Sequence, residues 1–254
     1  MIFLTGDIHG NPRRLWADSF YEQSDMTNQE DNFVIVCGDF GLVWNKDCES
    51  AKEEYFLDAL EKKPFYTLFV DGNHENFDRL YEYPVKIWNG GLVHEIRPHV
   101  LHLMRGYVFT IEGKKFFTFG GASSHDISDG ILDCEDPNWR DQAKLLNMHG
   151  KSMYRIKGLS WWSQELPTEE EMETGRKHLA KHNNKVDFII THSPSASQIA
   201  VLGAGLYKQD RLTRYLEEIK SSIEYKKHFS GHMHINKAMN DKDIILYEQI
   251  IRIN

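Results

Sequence analysis

Apolar positions along the chain gather into short runs that stop abruptly at small, acidic or imidazole-bearing residues. Met1 to Leu4, Asn32 to Cys37, Phe65 to Val70, Val186 to Ile190 and Lys227 to Ser230 read as strands. Between the first two, Leu15, Trp16, Phe20 and Tyr21 follow Asn11-Pro12 near one helical face, which predicts a helix reaching Gln23. Polar residues Ser24 to Asp31 make a loop. Tyr55, Leu57, Ala59 and Leu60 lie among charges, so Glu49 to Lys63 is predicted as a surface helix ended by Pro64. This alternation of strand and helix is that of a mostly parallel sheet with helices on its faces.

From Val93 onward the pattern shortens. Val100 to Met104, Tyr107 to Ile111 and Lys115 to Phe119 are separated by Gly106 and Gly113, which predicts hairpin turns and antiparallel strands of a second sheet. The polar, aromatic-dotted stretch 123–167 runs well past an ordinary connection and should hold helix of its own or form a lid. Thr168 with Glu171 makes a capping box for a helix through Lys181, and Leu212 to Ile223 reads as another. Ile244 to Ile253 closes the chain with strand-like alternation. The expected organisation is one domain over residues 1–254, with an insertion at about 123–167.

Chemistry collects where the apolar runs end. Met1 to Leu4 leads into Thr5-Gly6-Asp7-Ile8-His9-Gly10, the next two runs into Gly38-Asp39 and Gly72-Asn73-His74-Glu75, and the last two into Thr191-His192 and Gly231-His232-Met233-His234. One Asp-x-His is a common accident. Five clusters at strand C-termini, the edge where open α/β sheets keep their sites, predict a cage of oxygen and imidazole ligands. That mixed O/N set suits first-row divalent metals such as Mn, Fe, Co, Ni or Zn better than calcium. Seven ligands crowd a single ion, so two ions sharing one carboxylate is the economical arrangement.

In this order the clusters resemble the calcineurin-like metallophosphoesterase superfamily, over a span from Gly6 to His234. The resemblance implies a β-sandwich of two mixed sheets flanked by helices, with a binuclear metal site at strand ends. It implies that Asp7, His9, Asp39 and His234 hold one metal, and that Asp39 bridges to a second held by Asn73, His192 and His232. Two divalent ions, Mn²⁺ first among them, then generate a bridging hydroxide that attacks phosphorus in line. His74 matches the family histidine that neutralises or protonates the departing oxygen, and it is the expected catalytic side chain. Hydrolysis of phosphate mono- or diesters, nucleotides included, is the function implied; the alternatives are a metal-binding interaction scaffold of the same fold, or a nuclease.

The pattern departs from the family at one point. Leu42 stands where many members carry the Asp that orients the acid histidine, so the partner of His74 is open, with Glu75 as a partial substitute. Arg13, Arg79 and Arg140 are the basic residues considered for a phosphate contact. His125-Asp126, after the Gly-Gly-Ala-Ser-Ser turn, could face the metals. Other lone histidines read as surface or hydrogen-bonded residues. Trp161-Trp162 and Trp44 read as packing or pocket-mouth residues ahead of base-stacking ones.

Composition adds exclusions. With 254 residues, 41% hydrophobic and 27% charged, the chain is an ordinary globular one. A formal net charge of −8 disfavours a nucleic-acid or anionic-membrane partner without excluding anionic substrates, and the small phosphate ester is the partner the resemblance implies. Three cysteines, Cys37, Cys48 and Cys134, show no C-x-x-C spacing, so neither disulfides nor a thiolate zinc site is expected. No apolar run approaches the roughly 18 residues of a membrane span. No signal-peptide pattern is present, and a cytoplasmic protein is expected.

Overall fold

The computed structural model describes residues 1–203 and 207–253. The Val-, Ile- and Phe-rich runs become strands because both their faces find apolar cover. β1 (Ile2–Thr5), β2 (Phe33–Val36) and β3 (Tyr66–Phe69) lie parallel. After them come β4 (Val85–Trp88), β5 (Gly91–Arg97) and β6 (Val100–Leu103); β6 pairs parallel with β3, and β5 and β4 extend the sheet antiparallel. The second sheet holds β7 (Tyr107–Ile111) and β8 (Lys114–Phe119). Beyond a small parallel pair, β9 (Gly130–Asp133) and β10 (Tyr154–Lys157), it gains β11 (Phe188–Thr191), β12 (Lys227–Ser230), β13 (Lys237–Ala238) and β14 (Asp243–Ile245). β15 (Ile251–Ile253) returns to the first sheet, antiparallel to β1.

Three apolar layers result. Ile2, Leu4, Ile35 and Leu68 of one sheet meet Phe116, Phe188, Ile190 and Phe229 of the other in the central layer. On the outer face of the first sheet Phe56, Leu57 and Leu60 of α1 (Ala51–Glu61) pack on Val34, Val36 and Phe69. The remaining helices are α2 (Phe77–Leu80), α3 (Trp139–Met148), α4 (Glu169–Lys181), α5 (Ala196–Gly203) and α6 (Arg211–Ser222). Met172 and Leu179 of α4 with Leu212 and Leu216 of α6 cover Phe117, Phe119 and Ile189 on the far face. The architecture is the expected sandwich of two mixed sheets flanked by helices. Capping boxes start α1 at Ser50 and α4 at Thr168, the latter as the sequence predicted.

Three local expectations are corrected. The helix predicted from Asn11 to Gln23 is two 3₁₀ turns, Pro12–Leu15 and Tyr21–Asp25. Long-range bonds account for this: Arg14 reaches from the first turn to the carbonyl oxygens of Asp7 (2.8 Å) and Tyr247, partners no local propensity encodes. Gly106 is not a hairpin turn, since it carries the chain from β6 in one sheet to β7 in the other, whereas Gly113 does turn the β7–β8 hairpin. A further hairpin, β4–β5, turns at Asn89-Gly90, both at positive φ. The run Ile244 to Ile253 is split between β14 in one sheet and β15 in the other. Segment 123–167 contains β9, α3 and β10, so it is structured.

Just past β6, buried Arg105 donates to the Asp71 carboxylate (Nε to Oδ2, 3.0 Å) and to the backbone oxygen of Gln164 (2.7 Å). Burial opposes ionisation of Asp71, yet Arg105 and His102 hold its carboxyl well below the usual range. Replacing Arg105 by Met leaves that buried carboxylate without its guanidinium, with His102 Nε2 (3.0 Å) as its remaining side-chain partner, and should lower the unfolding free energy in urea by about 3 kcal/mol. Because the folded pKa is depressed, the pair stabilises above the ordinary carboxylate range of about 4, and its contribution fades as pH falls toward the folded value. A loss under 1 kcal/mol at neutral pH would contradict this account.

Candidate metal centre

The parallel strands place their C-terminal ends at one edge, and the predicted clusters meet there. Asp7 and His9 follow β1, Asp39 follows β2, Asn73 and His74 follow β3, His192 follows β11, and His232 and His234 follow β12. One group of donors, from Asp7, His9, Asp39 and His234, lies with all its atoms within 4.8 Å of one another. Asp39, His192 and His232 form a second such group. The two share Asp39.

Distances within the groups resemble the edges of a coordination shell. Bonds of about 2.0–2.2 Å to a common ion put neighbouring donors about 3 Å apart. His9 Nε2 and His234 Nε2 are 2.9 Å apart, His234 Nε2 is 3.2 Å from Asp7 Oδ2, and His9 Nε2 is 3.7 Å from the same oxygen. The Asp39 carboxylate divides: Oδ2 lies 3.8 Å from His9 Nε2, and Oδ1 lies 3.2 Å from His192 Nε2. Asn73 Oδ1 is 3.4 Å from that same His192 nitrogen. Asp7 Oδ2 is fully buried and has no aligned hydrogen-bond partner, a group that a cation would satisfy. The donors present therefore fit a pair of divalent ions.

Neighbouring groups fix how the donors point. His192 Nδ1 donates to the Cys37 carbonyl oxygen (2.8 Å), leaving Nε2 free as a ligand. Burial opposes a charged His192, but Asp39 and Asp7 outweigh it and raise its pKa. Burial also pushes the Cys37 thiol up, so it stays neutral and packs as a small hydrophobe. The backbone N–H of His74 donates to Asp39 Oδ1 (2.9 Å), and that of His232 to Asp7 Oδ1 (3.0 Å). Close approach requires glycine at two positions: a Cβ at Gly38 would collide with the His192 ring, and one at Gly72 with the Asp39 carboxylate.

The surroundings of His74 differ from expectation. Glu75 does not orient it; its carboxylate is buried and accepts from the backbone N–H groups of Phe40 (2.7 Å) and Gly41 (3.2 Å). Instead His74 Nε2 accepts from Arg155 Nη2 at 3.1 Å, and Trp44 lies against its ring with centroids 5.5 Å apart. Burial lowers the His74 pKa to about 4, with Arg155 adding to the shift and Asp39 opposing it. Arg155 is the residue that sequence reasoning missed, because a single Arg in the alternating Tyr154-Arg155-Ile156-Lys157 carries no signal. The arginines considered earlier lie elsewhere: Arg79 is paired with Glu53 (3.1 Å), Arg13 lies over Phe56 and Arg140 over Trp139.

His125 reaches the site, with its Nε2 2.7 Å from His232 Nε2, and Asp126 Oδ1 lies 2.6 Å from Arg155 Nε. Trp162 is buried, packs edge-on against Trp44 and donates to Asp78 (2.8 Å), which is a packing role. No helix among the described residues is long and apolar enough to cross a membrane.

Two donor groups at the rim of a two-sheet sandwich, joined through one carboxylate, form the kind of site that metal-dependent hydrolases use. Residues 1–236 match the calcineurin-like phosphoesterase family, and the chain belongs to it. Among curated proteins, it is 22% identical to the lariat debranching enzyme of Homo sapiens over 262 aligned positions, covering 93% of this chain and 42% of that protein. The Gallus gallus lariat debranching enzyme is 23% identical over 223 positions, with 78% and 39% covered. For that of Entamoeba histolytica the identity is 34% over 104 positions, with 36% and 28% covered. The chain thus spans about two fifths of the length of the first two.

Replacing Gly38 by Ala should displace His192 from Asp39 and weaken uptake of Mn²⁺ by about 10–100-fold, read by titration calorimetry. Gly113→Ala, at the open β7–β8 turn, should leave uptake unchanged. Equal affinities in both variants would contradict the packing argument.

Proposed function

We propose that this chain hydrolyses phosphodiesters, and monoesters less well, using two divalent cations of which Mn²⁺ is the first choice. The observation that carries the reading is the division of the Asp39 carboxylate between two donor groups, with Oδ2 toward His9 and Oδ1 toward His192. When bound, such a cation pair supplies an acidified water as nucleophile and a Lewis-acid clamp on the phosphoryl oxygens. Asp7, His9 and His234 with Asp39 Oδ2 are assigned to one ion, and Asn73, His192 and His232 with Asp39 Oδ1 to the other. His74 is assigned to the departing oxygen, to which its neutral imidazole donates a hydrogen bond as negative charge develops there.

The preference for diesters rests on relatives named for debranching a lariat, since a branch joined through phosphate is a diester. Their names also keep a nucleic-acid substrate open, against the net charge of −8. We further take residues 1–254 as one domain in which segment 123–167 acts as a lid, because His125 and Arg155 of that segment touch His232 and His74. A substrate must then pass beside this segment.

Protein stripped with EDTA and reloaded with Mn²⁺ should hydrolyse bis-p-nitrophenyl phosphate faster than p-nitrophenyl phosphate, and a branched oligonucleotide belongs on the same panel. Inactivity on every ester with two ions bound per chain would leave the scaffold reading in its place. His74→Ala should cost about 10²–10⁴ in kcat on alkyl esters and much less on activated aryl esters. Equal losses on both would remove His74 from the leaving-group role.

A further inference from the structure

Every nitrogen of the Arg155 side chain has a polar neighbour, with only 8% of that side chain exposed; the contact with Asp126 is an ion pair without an aligned hydrogen bond. Nε lies 2.6 Å from Asp126 Oδ1, Nη1 donates to the backbone oxygens of Ser160 (3.2 Å) and Asn73 (3.4 Å), and Nη2 donates to His74 Nε2 (3.1 Å). Asp126 and Ser160 belong to the segment 123–167, while Asn73 and His74 belong to the loop after β3. The guanidinium is therefore a clamp between them.

Guanidinium has no acceptor and keeps its charge, so the contact with His74 runs in one direction. Arg155 donates into the lone pair of Nε2, and the ring proton must sit on Nδ1. Leu42, at the place where a carboxylate was expected, is buried and offers no polar atom to His74. Glu75 is spent on the backbone of Phe40 and Gly41. We propose that Arg155 is the positioning residue for His74, a fixed cation carried into the site by the inserted segment that sets the orientation and tautomer of the imidazole.

The proposal rests on the function assigned above to His74, and it adds that docking of the segment and readiness of the site are one event. A lysine cannot reproduce it, because one ammonium group cannot span Asp126, two carbonyl oxygens and His74 together. Asp126 holds the guanidinium from the far side, so its removal should loosen the same clamp.

Two readouts test this. In metal-free, ¹⁵N-histidine-labelled protein, His74 should show a protonated Nδ1 and an unprotonated Nε2, and Arg155→Met should redistribute the proton between them. In Mn²⁺-loaded protein, Arg155→Met should lower kcat about 10–100-fold with KM and bound Mn²⁺ unchanged. Arg155→Lys should restore little of that loss, and Asp126→Asn should act in the same direction more weakly. In a His74→Ala background, Arg155→Met should cost less than about threefold, because the two residues act as one unit. Additive losses, or a His74 tautomer indifferent to Arg155, would overturn the proposal even with the enzyme active. If the wild type hydrolyses no ester, the functional reading fails, and the spectrum still decides the role of Arg155. Should Arg155→Met not fold, Asp126→Asn carries both readouts, and an unchanged tautomer with unchanged kcat overturns the clamp.

Discussion

Asp39 is the constraint on which the rest of the site depends. Its carboxylate is buried at the end of β2, its two oxygens face different donor groups, and Oδ1 also accepts the backbone N–H of His74. Burial alone would favour the protonated acid, yet His192, His74 and His232 hold its pKa far below the ordinary range. The anion is thus maintained by imidazoles gathered from three other strand ends. A shift of one strand by one residue would aim those side chains elsewhere, so the register of both sheets bears directly on the chemistry.

The backbone around these donors is held in an unfavourable conformation. His9, Asp39, His232 and His234 all have positive φ, at 48°, 44°, 67° and 49°. Left-handed backbone at a residue with a Cβ costs on the order of 1–3 kcal/mol and persists only where the surroundings over-determine it. Here the surroundings are the three packed layers and bonds such as those from Ile8 and His9 N–H to the Asp39 carbonyl oxygen (3.0 and 2.8 Å). The sharp turns aim short side chains back across the strand ends. Stability built into the sandwich is what sustains the strained rim.

The convergence of the candidate donors was legible in the sequence because each sits just beyond an apolar run, and parallel strands bring such ends to one edge. Asp7, Asp39, Asn73, His192, His232 and His234 converge without any knowledge of the segment between residues 123 and 167. Other features were not legible for identifiable reasons. Arg14 bends its own segment out of a helix through partners more than two hundred residues away and at a strand end. Gly106 looks like a hairpin glycine, and only the packing of two sheets makes it a crossing. Arg155 sits in an ordinary alternating strand, and its meaning arises from where segment 123–167 folds back on the loop after β3.

The most direct measurement of the central claim is anomalous X-ray diffraction from crystals soaked in Mn²⁺. Two peaks about 3.5–4 Å apart are predicted, one against Asp39 Oδ2, Asp7, His9 and His234, the other against Asp39 Oδ1, Asn73, His192 and His232. A single peak, or two peaks of which either lies beyond bonding distance of Asp39, would contradict the account.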